Sequence, residues 1–195
     1  MISLYGITFI DDNHIESIAS GCIHLEGIAL NFCSRFKGYS LKTLLNRCKK
    51  LKSLILQNTA IESEAIEQVE WEQTCVEELD LSSTDLNEKT LLLMLNNSPN
   101  LTFLSVAYCD GFTNNVFTTL INNKKVEQWQ ALDLSYTVNL DYDEVFSFLK
   151  TYGNQLRGFS YAGNVKLTEY FWINSIKNMK NIKFIILISY LKIIE

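Results

Sequence analysis

One stretch constrains this chain more than any other, the run from Val76 to Cys109, VEELDLSSTDLNEKTLLLMLNNSPNLTFLSVAYC. It opens with V-x-x-L-x-L-x-x-T on Val76, Leu79, Leu81 and Thr84, and closes with L-x-x-L-x-V-x-x-C on Leu101, Leu104, Val106 and Cys109. Between them Leu91, Met94 and Leu95 recur at helical spacing before Ser98-Pro99-Asn100 breaks the helix. Strand, turn, helix, and then the same strand again make up one unit. Aligning the second inner apolar residue of each strand gives Leu4, Leu30, Leu56, Leu81, Val106, Leu134, Tyr161 and Leu187, at steps of 26, 26, 25, 25, 28, 27 and 26. A near-fixed period of this size is the mark of a stacked repeat array.

The segments between the strands carry apolar stripes at helical spacing. They are Ile15/Ile18/Ala19/Cys22, Leu41/Leu44/Leu45/Cys48, Ala65/Ile66/Val69, Val116/Phe117/Leu120/Ile121, Val145/Phe146/Leu149 and Ile173/Ile176. Each helix buries one stripe against the strands and each repeat leans on its neighbours, so no repeat is expected to fold alone. The ninth position of the repeat holds Ile7, Cys33, Thr59, Thr84, Cys109, Thr137, Asn164 and Tyr190. A small hydrogen-bonding side chain there is expected to point into the turn and satisfy backbone groups the strand leaves free. Cys33 and Cys109 therefore read as buried structural thiols. Trp129 occupies a repeat leucine slot and reads as core, whereas Trp71 and Trp172 are expected partly exposed on the helical side.

A net charge of −5 argues against a nucleic-acid partner, which calls for a basic stripe. The short lysine runs, Lys49/Lys50/Lys52 and Lys124/Lys125, fall at helix ends, where the macrodipole favours cations. No basic-then-apolar leader opens the chain and no run of about 18 apolar residues occurs, so no membrane span is expected. Five cysteines at wide spacing, with no C-x-x-C, fit reduced thiols in the cytoplasm or nucleus. No catalytic residue, cofactor site or metal site is expected. Glycine-rich phosphate loops are missing, His14 and His24 read as surface residues with no carboxylate motif around them, and Asp141, Asp143 and Glu144 read as a helix start.

Gly6-Ile7-Thr8-Phe9-Ile10-Asp11-Asp12 resembles the G-C-x-x-I-T-D turn of cysteine-containing leucine-rich repeats. Cys109 to Asn114 and Asn164 to Glu169 look like variants of it. Cys22-Ile23-His24-Leu25, Cys48-Lys49-Lys50-Leu51 and Ser98-Pro99-Asn100-Leu101 are similar to the C-P-x-L helix exit of those repeats. The resemblance covers essentially the whole chain. It implies an α/β fold: a leucine-rich-repeat solenoid or horseshoe, with parallel β-strands on the concave face and helices on the convex face. Residues 1–195 are expected to form a single such domain of about seven full repeats plus a terminal strand, belonging to a longer protein.

Repeats of this kind are typical of F-box/leucine-rich-repeat proteins, in which they hold the substrate of an SCF ubiquitin ligase. The resemblance thus implies a non-enzymatic recognition module, with a cullin and its adaptor as partners only if an F-box exists in a longer form. This sequence has no F-box. A stand-alone binding, inhibitor or assembly scaffold without a ligase is the alternative. Leucine-rich-repeat activators of small GTPases are a third class, but Arg35, Arg47 and Arg157 lie in no matching motif.

Alternate residues of each strand should face outward on the concave side. Eight strands give an inner face about 35 Å long, enough for an interface of about 1,600 Å². The most distinctive patch spans the fourth to sixth strands. Glu78, Asp80 and Asp133 supply negative charge, Phe103, Tyr108 and Tyr136 supply aromatic anchors, and Ser82, Ser105 and Ser135 lie between them. The expected ligand is a protein segment, basic or Arg-containing. The apolar strand from Phe184 to Ile188 is expected to promote self-association through its edge.

Overall fold

The computed structural model describes residues 1–164 and 168–186. Val165, Lys166 and Leu167 of the seventh turn, and Leu187, Ile188 and Tyr190 of the last strand, lie outside the described residues. The fold is a leucine-rich-repeat solenoid of eight strands and seven helices among the described residues. In chain order these are β1 (Ile2–Ser3), α1 (Asp12–Gly21), β2 (Gly27–Ala29), α2 (Leu41–Arg47), β3 (Ser53–Ile55), α3 (Ser63–Ile66), β4 (Glu78–Asp80) and α4 (Glu88–Asn96). There follow β5 (Phe103–Ser105), α5 (Asn114–Asn122), β6 (Ala131–Asp133), α6 (Tyr142–Tyr152), β7 (Gly158–Ser160), α7 (Glu169–Ile176) and β8 (Phe184–Ile186).

All eight strands form one parallel sheet in sequential order. Every crossover steps the same way, and the right-handed preference of such connections puts all the helices on one side. The other side stays open. Ile28, Leu54, Leu79, Leu104, Leu132 and Phe159 stand in register and are buried with the helix stripes. A one-residue slip would turn this row outward, which pins the register.

Each strand ends in the same turn, and the turn explains the ninth position. One residue per repeat takes the left-handed conformation: Gly6, Phe32, Asn58, Ser83, Tyr108, Tyr136 and Gly163, with φ from 52° to 71°. The next residue then points inward. Thr59, Thr84 and Thr137 donate their hydroxyls to the carbonyls of Leu56, Leu81 and Leu134, each at 2.6 Å. Cys33 and Cys109 reach back one repeat instead, to Leu4 O at 3.1 Å and Leu81 O at 2.9 Å. Both thiols are buried, and burial pushes them up from the ordinary cysteine range. On the opposite edge an amide ladder ties the repeats together. Asn100, Gln128, Gln155 and Asn181 donate to the carbonyls of Thr74, Pro99, Val126 and Asn154.

Four expectations are corrected. Trp71 is fully buried, its indole donating to Ile66 O at 3.1 Å. α3 has only four residues, and the indole fills the core volume that so short a helix leaves open. Ile173 and Ile176 are exposed. α7 turns Phe171 and Ser175 inward, because the Phe171 ring packs against Tyr142, Phe146 and Tyr161. Cys22 lies at the exposed end of α1 rather than in its stripe. His14 does have a carboxylate partner: it closes a capping box with Asp11, its Nδ1 2.6 Å from Asp11 Oδ1, and holds that carboxyl below the usual range. Trp129 is core and Trp172 half-buried.

Candidate protein-docking face

Parallel pairing aligns the outward residues into columns across the open face. Glu78 of β4 stands beside Phe103 of β5, which stands beside Ala131 of β6. The next column runs Asp80, Ser105, Asp133. Asp80 and Asp133 therefore lie two strands apart, about 10 Å between backbones, with a short serine between them.

The nine residues of the patch fall on the same strands and turns but differ in reach. Glu78 is exposed, and Asp80, Asp133, Phe103 and Tyr136 are half-buried. Tyr108 is 54% exposed. Ser82, Ser105 and Ser135 are buried and offer little contact surface. Their hydroxyls are engaged within the face. Ser82 donates its N–H to Asp80 Oδ1 at 2.9 Å and its hydroxyl to the same oxygen at 2.5 Å. Ser82 Oγ also lies 2.6 Å from Ser105 Oγ. The arrangement repeats two strands on: Ser135 N–H donates to Asp133 Oδ1 at 2.9 Å, and Ser135 Oγ lies 2.6 Å from Ser160 Oγ. L-D-L-S thus builds a turn in which one carboxylate oxygen holds the strand end. Among the described residues the other oxygen of each aspartate has no bond of this kind. Burial pushes the Asp80 carboxyl above the ordinary aspartate range, the Ser82 hydrogen bonds oppose the shift, and Asp133 adds to it. The face therefore holds partly desolvated negative charge.

The aromatic part is more ordered than its spacing shows. Tyr108 and Tyr136 sit at left-handed turn positions on neighbouring repeats, and their rings stack at 4.2 Å and 10°. The same position one repeat further is Gly163, and a β-carbon there would overlap Cδ1 and Cε1 of Tyr136. Tyr136 lies flat on the Gly163 backbone, and Tyr108 lies flat on Tyr136. Gly158 plays the same part for the Phe184 ring. At the other end of the sheet Tyr5 and Phe32 form a tilted pair at 5.2 Å, and Asn31 donates to Gln57 at 2.9 Å. Tyr5, Asn31 and Gln57 occupy one repeat position on three successive repeats. Among the described residues no group of three or more His, Cys, Asp or Glu is placed to hold a metal. No helix of the described residues is long and apolar enough to cross a membrane.

No family model matches the chain. The BTB/POZ domain-containing protein FBL11 of Arabidopsis thaliana is 28% identical over 120 residues, covering 57% of this chain and 12% of that protein. Among solved structures, a chain of the Rad7 and Elc1 complex of yeast superposes with a TM-score of 0.59 at 13% identity, over 93% of this chain and 55% of that one. The likeness is one of fold. The chain spans about half the length of that structural relative and a small part of the plant protein.

Proposed function

We propose that this chain is a protein-recognition module whose open sheet face docks a basic segment of a partner protein. One observation carries the reading. The strand and turn segments 78–87, 103–112 and 131–140 contain Glu78, Asp80, Asp85, Asp110 and Asp133 and no lysine or arginine. They also hold the Tyr108–Tyr136 stack. One-signed charge interleaved with aromatic anchors suits a cationic polypeptide.

The finer reading is substrate recruitment by an F-box-type ubiquitin ligase. The cysteine-containing turn and helix-exit motifs support it; the fold likeness to a chain found in a complex of two proteins, Rad7 and Elc1, supports the coarser reading of protein recognition. In that reading a cullin and its adaptor are reached through a longer form of the protein, in the cytoplasm or nucleus. All five cysteines are free, which accords with a reducing compartment.

Affinity purification of the endogenous protein, read by blot and mass spectrometry, tests both levels. A cullin and adaptor with a band larger than 22.4 kDa are expected. A band of that size with other partners rejects the ligase and leaves a free-standing scaffold. The Asp80→Lys/Asp133→Lys double variant should lose the captured partner, and unchanged capture rejects the face.

A further inference from the structure

The Tyr108 ring has two faces, and the structure accounts for only one of them. Tyr136 covers one side at 4.2 Å, nearly parallel, and Gly163 backs Tyr136 in turn. Successive strands lie about 4.8 Å apart, so a near-parallel pair at this distance stacks along the solenoid axis. The opposite face of Tyr108 consequently looks along the sheet toward the preceding turn. There the equivalent residue is Ser83, exposed and short, and beyond it Asn58, also exposed. Among the described residues Tyr136 is the one ring that Tyr108 meets. What results is a slot one strand wide above Ser83, with a flat aromatic wall and a rigid back.

Backbone conformation makes the choice of tyrosine informative. Every repeat requires the left-handed turn, and Gly6, Asn58 and Gly163 meet it with residues that tolerate it well. Phe32, Tyr108 and Tyr136 meet it with bulky side chains that are disfavoured there, and of these Tyr108 leaves more than half of itself in water. The backbone does not call for a ring at 108, and among the described residues the one ring contact there is the stack on Tyr136.

We propose that the open face of Tyr108, above Ser83, seats an arginine side chain of the partner. A planar guanidinium stacks on a ring face and still presents its in-plane N–H groups sideways. Asp80 and Asp85 flank Ser83 in the same segment and Asp110 follows Tyr108, so the formal charges of the two turn segments that bound the slot are all negative. A lysine ammonium lacks the plane that would fill the slot. This inference rests on the docking face proposed above and names the side chain that face selects.

The test places 3-fluorotyrosine at position 108 of the full chain and follows its fluorine resonance. The probes are end-blocked Gly-Arg-Gly and Gly-Lys-Gly at millimolar concentration. The arginine peptide should shift the resonance saturably and bind roughly fivefold tighter than the lysine peptide. Arginine-peptide binding, followed by amide resonances of the Ser83 turn, should survive Tyr108→Phe and vanish in Tyr108→Gly. Glycine accepts the turn, and an unchanged near-ultraviolet spectrum outside the tyrosine signal confirms the fold of that variant. No shift with either peptide, equal affinity for both, or retention in Tyr108→Gly overturns the proposal. If the peptides fail while partner capture still depends on Asp80 and Asp133, the docking face stands and the arginine slot falls.

Discussion

Gly163→Ala is the most informative single change, because two separable effects meet at one atom. The added methyl sits on a backbone with φ of +71°, where an L side chain loses about 1–2 kcal/mol. It also overlaps Cδ1 and Cε1 of the Tyr136 ring, which must swing off its seat and abandon the stack with Tyr108. An aromatic pair of this geometry is worth about 0.5–1.5 kcal/mol beyond its buried area. Together these give a loss of about 2–3 kcal/mol, or a fall in Tm of roughly 4–12 °C for a chain of this size. Urea denaturation monitored by tryptophan fluorescence measures the loss, with the slope m checked for constancy. A double-mutant cycle separates the effects. In a Tyr136→Ala background the alanine at 163 meets no ring, so the loss should shrink to the backbone part alone, leaving a coupling of about 1 kcal/mol. A loss below about 0.5 kcal/mol, or additivity within that margin, refutes the stacked shelf and removes the wall on which the arginine slot depends.

Three further outcomes follow from the turn and strand chemistry. Leu56 O receives a side-chain hydrogen bond from Thr59, whereas Leu81 O receives one from Thr84 and another from Cys109. Thr59→Val should therefore lose about 1 kcal/mol in urea denaturation and Thr84→Val clearly less; equal losses would show that the cysteine bond carries no energy. Asp80→Asn keeps an oxygen to accept from Ser82 but removes a charge that burial disfavours. With the folded-state pKa raised, ionisation disfavours folding, and stability falls as pH rises through that pKa. The variant should thus have the higher Tm at neutral pH, with the gain vanishing as pH drops to the ordinary aspartate range; a gain that persists in acid contradicts desolvation as the cause. With a thiol reagent on the native chain, the exposed Cys22 and Cys75 should react fast and Cys33, Cys48 and Cys109 only on unfolding. Fast reaction at Cys33 or Cys109 would disprove the burial assigned to the turn column.

The period and the ninth position were legible because they are stated by residue type. An apolar side chain at each inner strand slot and Thr or Cys at five of the eight turns declare which way they point, since burial and hydrogen bonding permit little else. The described helices followed where their stripe was dense, as in α2 with Leu41, Leu44 and Leu45. They misled where two periods competed. Ile173/Ile176 and Phe171/Ser175 are both valid helical pairs, and only the aromatic neighbours of Phe171 decide between them. Trp71 was unreadable for a related reason, because the length of α3 and not the local pattern makes the space it fills.

The candidate face was legible in its columns and opaque in its relief. Alternation along a strand fixes which residues face outward, but it does not say that serines beside an aspartate sink below the surface. Nor does it reveal that a tyrosine takes a left-handed turn residue, since seven different repeats fill that position with five residue types. Relief comes from what each neighbour leaves empty: Gly163 is the floor on which Tyr136 lies, and Ser83 is the gap that Tyr108 faces. In such an array the inward residues are held by the repeat, and the outward ones are free to differ. The proposed docking therefore looks to places where a large outward residue stands beside a small one that leaves its ring uncovered. Ser83 beside Tyr108 is such a place, within the segment where the charge is of one sign. If Ser83→Phe, which fills the gap with a second ring, left partner capture unaffected, the contact would have to lie elsewhere on the sheet.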